Sequence, residues 1–454
     1  MATQGIAQYL TSKSSPSAVV GYDTRFASDR FAREVAQVLA GNGVRALLID
    51  APSPTQVSSY AILDRKASGA VVVTASHNPY YFSGLKYKPE YAGSASPEVT
   101  GRLEQEIAAV QRSGQVRQLR FEDGERQGLI EVFDPRPAYV TQIGRMVNLQ
   151  VLKDAGLHIL HDSMYGGGQG YLKLLLSGGR TVVDEIHGER NPGFGGMHPE
   201  PIPPNLDEAQ TLIRKGGYNL GIANDGDADR VGIIDERGEF INQLQVMALL
   251  MLYLVEKRGW KGDVVRSLTM TSMMDKLGER FGITVHELPV GFKYIGPKMT
   301  EVNAILGGEE SGGFGFRGHI PERDGILSGI FIADLIVQYG QPLSKVLQHL
   351  EDLVGPHAYA RHDIHLEREE YADRRAAIYA DLQKNPPREL AGERIQRSRT
   401  DDGFKYYFAD GSWVLTRFSG TEPLIRVYSE APSRQRVDKL LAALEDRLGV
   451  RQVA

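Results

Sequence analysis

One order of elements recurs three times along this chain, and little else in the sequence restricts its fold as strongly. Ala18–Asp23 reads as a buried strand, followed by a helix from about Ser28 to Ala40, a stop at Gly41-Asn42-Gly43, and the strand Val44–Ile49. Leu157–Asp162, a Gly-rich turn, a helix around Gly170–Leu176 and the strand Arg180–Ile186 repeat the order. Asp263–Leu268, a helix from Thr271 to about Phe281, and Ile283–Leu288 repeat it again. Strands alternating with helical patterns predict parallel sheet built from right-handed crossovers.

Each module adds a strand that ends in a polar, glycine-containing loop. Ala70–Thr74 runs into Ala75-Ser76-His77-Asn78-Pro79, and Asn219–Ala223 into Asn224-Asp225-Gly226-Asp227-Ala228-Asp229-Arg230. Ala304–Gly307 runs into Gly308-Glu309-Glu310-Ser311-Gly312-Gly313. Ligands bind beyond the carboxyl ends of strands in open α/β sheets, so the three loops are expected to converge on one cleft. Glycine makes up 50 of the 454 residues, about 11% against a typical ~7%, with no linker tract to absorb the excess. Many glycines are therefore expected in tight loops, of the kind that approach phosphates.

The C-terminal stretch differs. Phe404–Phe408 and Ser412–Arg417 flank Asp410-Gly411, a strong hairpin signal. The strand Leu424–Tyr428 follows, then a helix from about Ser433 to Leu448 with Val437, Leu440, Leu441 and Leu444 on one face. This predicts a smaller α+β domain, preceded by a charged linker with helix from about Gly355 to Pro387. The expected fold class is α/β: three similar α/β modules with mixed sheets, plus the α+β domain, around a central cleft. The expected boundaries are 1–147, 148–252, 253–357 and 358–454.

Asp225, Asp227 and Asp229 alternate along one loop, so their carboxylates can face one hard cation such as Mg²⁺, Ca²⁺ or Mn²⁺. A calcium loop also opens with acids at positions one, three and five, and Glu236 falls at position twelve. Position six, however, is Arg230 instead of Gly, and Val231–Ile234 reads as a strand. A solvated acidic turn is the bland alternative. Three clustered carboxylates repel one another unless a cation neutralises them.

Taken alone, Ser76 reads as a helix N-cap before it reads as a phosphoryl carrier. The metal loop, and Lys86 ten positions downstream, favour the carrier. Arg417, Ser419, Gly420, Thr421 and Arg426 offer the donors a phosphate dianion needs, unless the segment is a plain turn. Glu309 and Ser311 can pair with sugar hydroxyls, or belong to a solvent loop. Arg25 and Lys293 lie near strand ends, where a surface salt bridge explains either.

In this order the motifs Thr74–Pro79, Asp225–Arg230, Gly308–Gly313 and Arg417–Pro423 resemble the alpha-D-phosphohexomutases, the phosphoglucomutase/phosphomannomutase family, over nearly the whole chain. The resemblance implies that Ser76 is a phosphoserine and that Asp225, Asp227 and Asp229 hold Mg²⁺ together with it. It implies that Glu309 and Ser311 read the sugar, and that Arg417, Ser419, Gly420, Thr421 and Arg426 hold the phosphate that is not reacting. Lys86, Arg25, His77, Arg230 and Lys293 would form the catalytic surround, with Lys86 handling a proton. The implied reaction interconverts hexose 1-phosphate and hexose 6-phosphate, glucose first and mannose second, through a hexose 1,6-bisphosphate; glucose 1,6-bisphosphate would be activator and intermediate. Competing readings are phosphoglucosamine mutase, a metal-dependent phosphatase, and a non-catalytic sugar-phosphate binder.

Three departures from the pattern are visible. Family members usually open with a strand carrying a Phe-Gly-Thr-x-Gly-x-Arg-Gly-like segment, which is not found here. The chain is expected to start inside the next helix, around Ile6–Leu10, either as a truncated product or with a first domain short of one strand and one site arginine. Gly313 stands where some subgroups carry His, and Ser83-Gly84 where the family has Asn-Gly.

The formal net charge of −5 argues against a dedicated nucleic-acid partner. Cysteine is absent, which removes disulfides and thiolate chemistry and suits a cytoplasmic location. The longest apolar run, Val246–Val255, is about half the roughly 20 residues of a membrane span. The expected partners are therefore small-molecule hexose phosphates, with no nucleic acid and no membrane, for a monomer or homodimer.

Overall fold

The computed structural model describes residues 1–419 and 423–451. The three predicted modules form three mixed sheets of the same plan. In the first, β1 (Ser17–Tyr22), β2 (Arg45–Ile49), β3 (Gly69–Val73), β4 (Leu85–Pro89) and β5 (Ile130–Phe133) stand in the order β4-β3-β1-β2-β5. The second holds β6 (His158–Asp162), β7 (Val182–Ile186), β8 (Leu220–Asn224), β9 (Val231–Ile234) and β10 (Phe240–Ile241) in the order β10-β9-β8-β6-β7. The third holds β11 (Val264–Ser267), β12 (Val285–Leu288), β13 (Leu306–Gly308) and β14 (Phe314–Phe316) in the order β12-β11-β13-β14.

The shared plan places the three polar loops at equivalent points. β3, β8 and β13 each run parallel to the first strand of their sheet, then reverse into an antiparallel neighbour, β4, β9 or β14. The loops bearing Ser76, Asp225–Asp229 and Glu309 are those reversals. β3 and β8 are buried along their whole length, which explains why they read as continuous apolar runs without alternation.

Two helices, α1 (Gln243–Glu256) and α2 (Gly325–Tyr339), are apolar on nearly every side and lie in the core. α2 packs against β8 and β9, and a Cβ on its Gly329 would stand 2.8 Å from Ile222. Its first residue, Gly325, donates its backbone N–H to the Ala228 carbonyl at 3.2 Å, while the Asp324 side chain caps the helix at Leu327 N. The helix start is thereby docked on the acidic loop.

The chain folds into two compact units. The first comprises Met1–Arg266 with Ile283–Leu347; the second comprises Ser267–Gly282 with the chain from Gln348 onward. In the second unit β15 (Ala358–His365), β16 (Arg397–Arg399), β17 (Phe404–Tyr407), β18 (Trp413–Phe418) and β19 (Leu424–Ala431) form an antiparallel sheet ordered β15-β19-β18-β17-β16. Helix α3 (Arg434–Leu448) packs on it through Val437, Leu440, Leu441 and Leu444. The third module's crossover helix, Met273–Phe281, belongs to this unit: Lys405 donates to the Leu268 carbonyl at 2.5 Å, and Ser272 Oγ to Glu430 at 2.5 Å.

One expectation is corrected. The segment predicted as a charged linker contains the eight-residue strand β15, paired with β19 over its full length. Its two buried positions, Ala360 and Ile364, share one face with His362, whose Nδ1 lies 2.5 Å from Glu445 of α3, while Arg361 and Asp363 occupy the other face. An edge strand with charges on its open face reads as polar in sequence. Among the described residues, no single helix is long and apolar enough to cross a membrane.

Candidate active site

The acidic loop leaves β8 at Asn224, whose side-chain amide donates to the Arg230 carbonyl at 2.8 Å and so ties the loop's two ends together. Asn224 is itself held by the buried His161, 3.0 Å away, which pairs with Glu185 at 3.2 Å. Asp225, Asp227 and Asp229 are fully buried and present oxygens within 4.8 Å of one another. Thr55 Oγ1 donates to Asp227 Oδ2 at 2.5 Å, and Lys86 Nζ to Asp227 at 2.6 Å and Asp229 at 3.1 Å. Asp227 Oδ1 and Asp229 Oδ1 are buried without a hydrogen-bond partner.

The electrostatics follow. Burial, then the neighbouring Asp227 and Asp229, push the Asp225 carboxyl well above its ordinary range. Burial also works against the Asp227 charge, but Lys86 outweighs it and holds that carboxyl below its usual range. A buried cluster of hard oxygen donors, two of them unpartnered, fits a divalent cation of the Mg²⁺ class.

Ser76 sits in the loop between β3 and β4 with φ 54°, a left-handed conformation uncommon for serine. Its backbone N–H donates to Thr74 Oγ1 at 2.9 Å, and its hydroxyl donates to Asp225 Oδ2 at 2.9 Å. The Ser76 carbonyl lies so close to the acidic loop that a Cβ at Gly226 would stand 2.4 Å from it, so only glycine fits there. Ser76 opens on a cavity of about 350 Å³ lined among others by Thr74, His77, Lys86, Arg230 and Arg323. Burial first, then the cations Arg230, Lys86 and Arg323, drive the His77 imidazole down to about 2, so it is neutral. Its Nδ1 is buried without a partner. Arg230 lies 3.3 Å from Glu200, and its backbone N–H donates to Asp225 Oδ1 at 3.1 Å.

The Glu309–Gly313 loop is anchored to the same place: Val231 N donates to the Gly312 carbonyl at 3.0 Å, one residue after Arg230. Glu309 is buried, and burial raises its pKa against the pull of Arg323 and Arg230. Ser311 is partly buried in the loop. Arg323 joins the loops, donating to Asp229 Oδ2 at 2.7 Å and to Glu309 Oε2 at 3.4 Å. Sequence reasoning missed it. The run Glu322-Arg323-Asp324-Gly325 before an apolar helix looks like ordinary helix capping, and capping is indeed what Asp324 does.

Four family profiles match the chain in order. Phosphoglucomutase/phosphomannomutase alpha/beta/alpha domain I covers residues 1–113, domain II 137–238, domain III 242–353, and the C-terminal domain 366–447. This chain belongs to the phosphoglucomutase/phosphomannomutase family. A phosphoglucomutase/phosphomannomutase of Thermococcus kodakarensis is 30% identical over 433 residues, 94% of this chain and 88% of that protein. A phosphoglucosamine mutase of Acetivibrio thermocellus is 29% identical over 98% of this chain and 94% of its own. The crystal structure of a putative phosphomannomutase from Thermus thermophilus superposes with TM-score 0.84 at 33% identity, covering 99% of this chain and 94% of that one. The chain is thus a phosphohexomutase-superfamily enzyme, of the isomerase and phosphotransferase type, with three α/β domains and a C-terminal domain.

Within this family member, the structure places three residues expected in the catalytic surround. Arg25 does not face the cavity with a free guanidinium: it is 1% exposed and spends its donors on Asp23 and on carbonyls of the Ser76 loop. Lys293 is exposed at the start of a helix (Phe292–Glu301), with its ammonium 5.1 Å from the ring of Tyr294. For Lys86 the expectation is proton handling. Burial opposes its charge, while Asp227 and Asp229 raise its pKa above the ordinary lysine value.

On the second unit, Arg417 and Arg426 are directly opposed on β18 and β19. Like charges so placed repel, and the structure offsets them with Asp402, 3.0 Å from Arg417, and Asp363, 3.7 Å from Arg426. The Ser419 carbonyl accepts from Tyr371 at 2.5 Å. Gly420 and Thr421 lie outside the described residues.

Gly313 and Arg323 are interlocked. A Cβ at Gly313 would fall 2.1 Å from Arg323 Cδ, so even alanine must displace the arginine stem. Gly313→Ala and Arg323→Ala are each expected to lower kcat/KM by about 10- to 100-fold, the scale of a lost charge-assisted contact. The double variant should lose no more than the worse single one, because both changes remove the same contacts. Steady-state kinetics of the three variants check this; additive losses would show that Gly313 acts independently.

Proposed function

We propose that this enzyme interconverts hexose 1-phosphates and hexose 6-phosphates through a phosphoserine at Ser76, with glucose the first substrate and mannose the second. The observation that carries the reading is the Ser76 hydroxyl bonded at 2.9 Å to Asp225, inside a buried triad with two unpartnered oxygens. A serine that merely capped a helix would not need to meet three buried carboxylates. Mg²⁺ held by Asp225, Asp227, Asp229 and the Ser76 oxygen would supply the charge neutralisation that phosphoryl transfer demands.

The chain's own groups do the rest. The Ser76 phosphoryl group passes to the free hydroxyl of a hexose monophosphate, giving a hexose 1,6-bisphosphate. The bisphosphate turns over in the site and returns its other phosphoryl group to Ser76. Lys86, Arg230 and Arg323 line the cavity and stabilise the phosphoryl oxygens during both transfers. The proton of the attacking hydroxyl leaves to a phosphoryl oxygen or to water, since burial and the surrounding cations leave the His77 imidazole too weak a base to take it. Glu309 and Ser311 bind sugar hydroxyls. Arg417, Ser419 and Arg426, with Gly420 and Thr421, bind the phosphate that is not reacting.

Glucosamine is the competing sugar, supported by the phosphoglucosamine mutase that aligns over 98% of this chain. The test is conversion of glucose, mannose and glucosamine 1-phosphates run in parallel with Mg²⁺ and a trace of glucose 1,6-bisphosphate. Glucose 6-phosphate is expected to form fastest and mannose 6-phosphate next. A preference for glucosamine would reassign the sugar. Release of inorganic phosphate without isomerisation would make the protein a phosphatase, and binding without turnover a sugar-phosphate receptor.

A further inference from the structure

Arg25 has five N–H bonds on its guanidinium, and the structure accounts for five acceptors. Nε donates to Asp23 Oδ2 at 3.0 Å, Nη1 to the carbonyls of Pro79 at 2.8 Å and Phe82 at 3.2 Å, and Nη2 to those of Ser76 at 2.6 Å and Asn78 at 2.7 Å. Four carbonyls of one loop therefore converge on one cation. The Phe194 ring covers the guanidinium at 4.9 Å. No donor remains for a substrate phosphate.

The partner acid serves the same loop a second time. Asp23 is buried and also accepts from Thr74 Oγ1 at 2.7 Å and from Ser28 Oγ at 2.9 Å. Thr74 Oγ1 in turn accepts the Ser76 backbone N–H at 2.9 Å. The peptide groups on both sides of Ser76 are thus fixed, the N–H through Thr74 and the carbonyl through Arg25, and both fixings end on Asp23. Between them Ser76 holds φ 54°, which a residue with a Cβ keeps only when its surroundings over-determine it.

We infer that Arg25 is a positioning residue of the phosphoryl transfer: locked by Asp23, it holds Ser76 in the left-handed conformation that aims its Oγ at Asp225, and it does not bind substrate. The inference rests on the mutase reading given above. Left to relax toward right-handed or extended backbone, Ser76 would swing its hydroxyl away from the triad. A misplacement of about 1 Å costs on the order of 100-fold in rate.

The test compares steady-state kinetics of the full-length wild type, Arg25→Lys, Arg25→Ala and Thr74→Val. Both Arg25 variants are expected to lose about 100-fold in kcat, with KM for the sugar phosphate unchanged within about threefold. Added guanidinium chloride at low millimolar concentration should restore part of kcat in Arg25→Ala and none in Arg25→Lys, where the ammonium fills the space without matching four carbonyls. Thr74→Val leaves the Asp23–Arg25 pair intact, and should show the same loss in kcat at constant KM. It carries the test alone if the Arg25 variants do not fold. A raised KM at preserved kcat would overturn the inference by placing Arg25 on the substrate, and an unchanged kcat in Thr74→Val would overturn it as well. A wild type that converts no sugar phosphate would instead remove the mutase reading, and the inference with it.

Discussion

Ser76→Ala is expected to leave a folded protein whose mutase turnover is at least about 10⁴-fold below wild type, the scale of loss when a covalent nucleophile is removed. The substitution is structurally mild. Alanine keeps the Cβ, so the strain at φ 54° is unchanged, and the single bond lost is the 2.9 Å contact to Asp225. Removing one hydrogen bond costs about 1 kcal/mol, far less than the stability of a domain. Activity and stability should therefore separate: thermal unfolding near that of wild type, with turnover absent. Because no group then carries the phosphoryl between the two ends of the sugar, raising substrate or glucose 1,6-bisphosphate should not restore it. An active Ser76→Ala enzyme would mean that transfer bypasses this serine.

Removal of the divalent cation should have an effect of similar size. Three buried carboxylates are balanced by Lys86, Arg323 and Thr55, yet two of their oxygens remain unpartnered. A chelator is expected to lower turnover at least about 10³-fold, and added Mg²⁺ to restore it. A second readout does not depend on catalysis. A ligand present at 100 times its Kd stabilises the folded state by about 2.7 kcal/mol, so Mg²⁺ should raise the thermal unfolding temperature. Asp227→Asn removes one of the three charges and should abolish that rise along with activity. A Mg²⁺-induced rise that persists in Asp227→Asn would place the cation elsewhere.

The three loops are legible in the sequence because each one interrupts an apolar strand with residues that cannot continue it. Ala70–Val73 and Leu220–Ala223 are buried throughout, so their ends are abrupt, and Ser76 and Asp225 follow within a few positions. What stays hidden depends on three-dimensional direction. Nothing in Gly21-Tyr22-Asp23-Thr24-Arg25 tells that the guanidinium turns inward to collect four carbonyls from residues 51 to 57 positions away. Arg323 stands 94 residues from Asp229 and shares no local pattern with it. Lys86 is legible as a site candidate, but its two carboxylate partners, Asp227 and Asp229, stand more than 140 positions away and leave no local pattern. β15 escapes notice because only two of its eight residues are fully buried.

The central claim, that Ser76 carries the phosphoryl group, is tested most directly by mapping phosphate on the protein. The enzyme is incubated with glucose 1,6-bisphosphate and Mg²⁺, digested, and its peptides are weighed before and after a chase with glucose 1-phosphate. The account predicts a single added phosphate on the peptide containing Ser76, lost during the chase as the sugar bisphosphate re-forms. Isomerisation that proceeds with Ser76 unmodified, or with the phosphate on another residue, would contradict it.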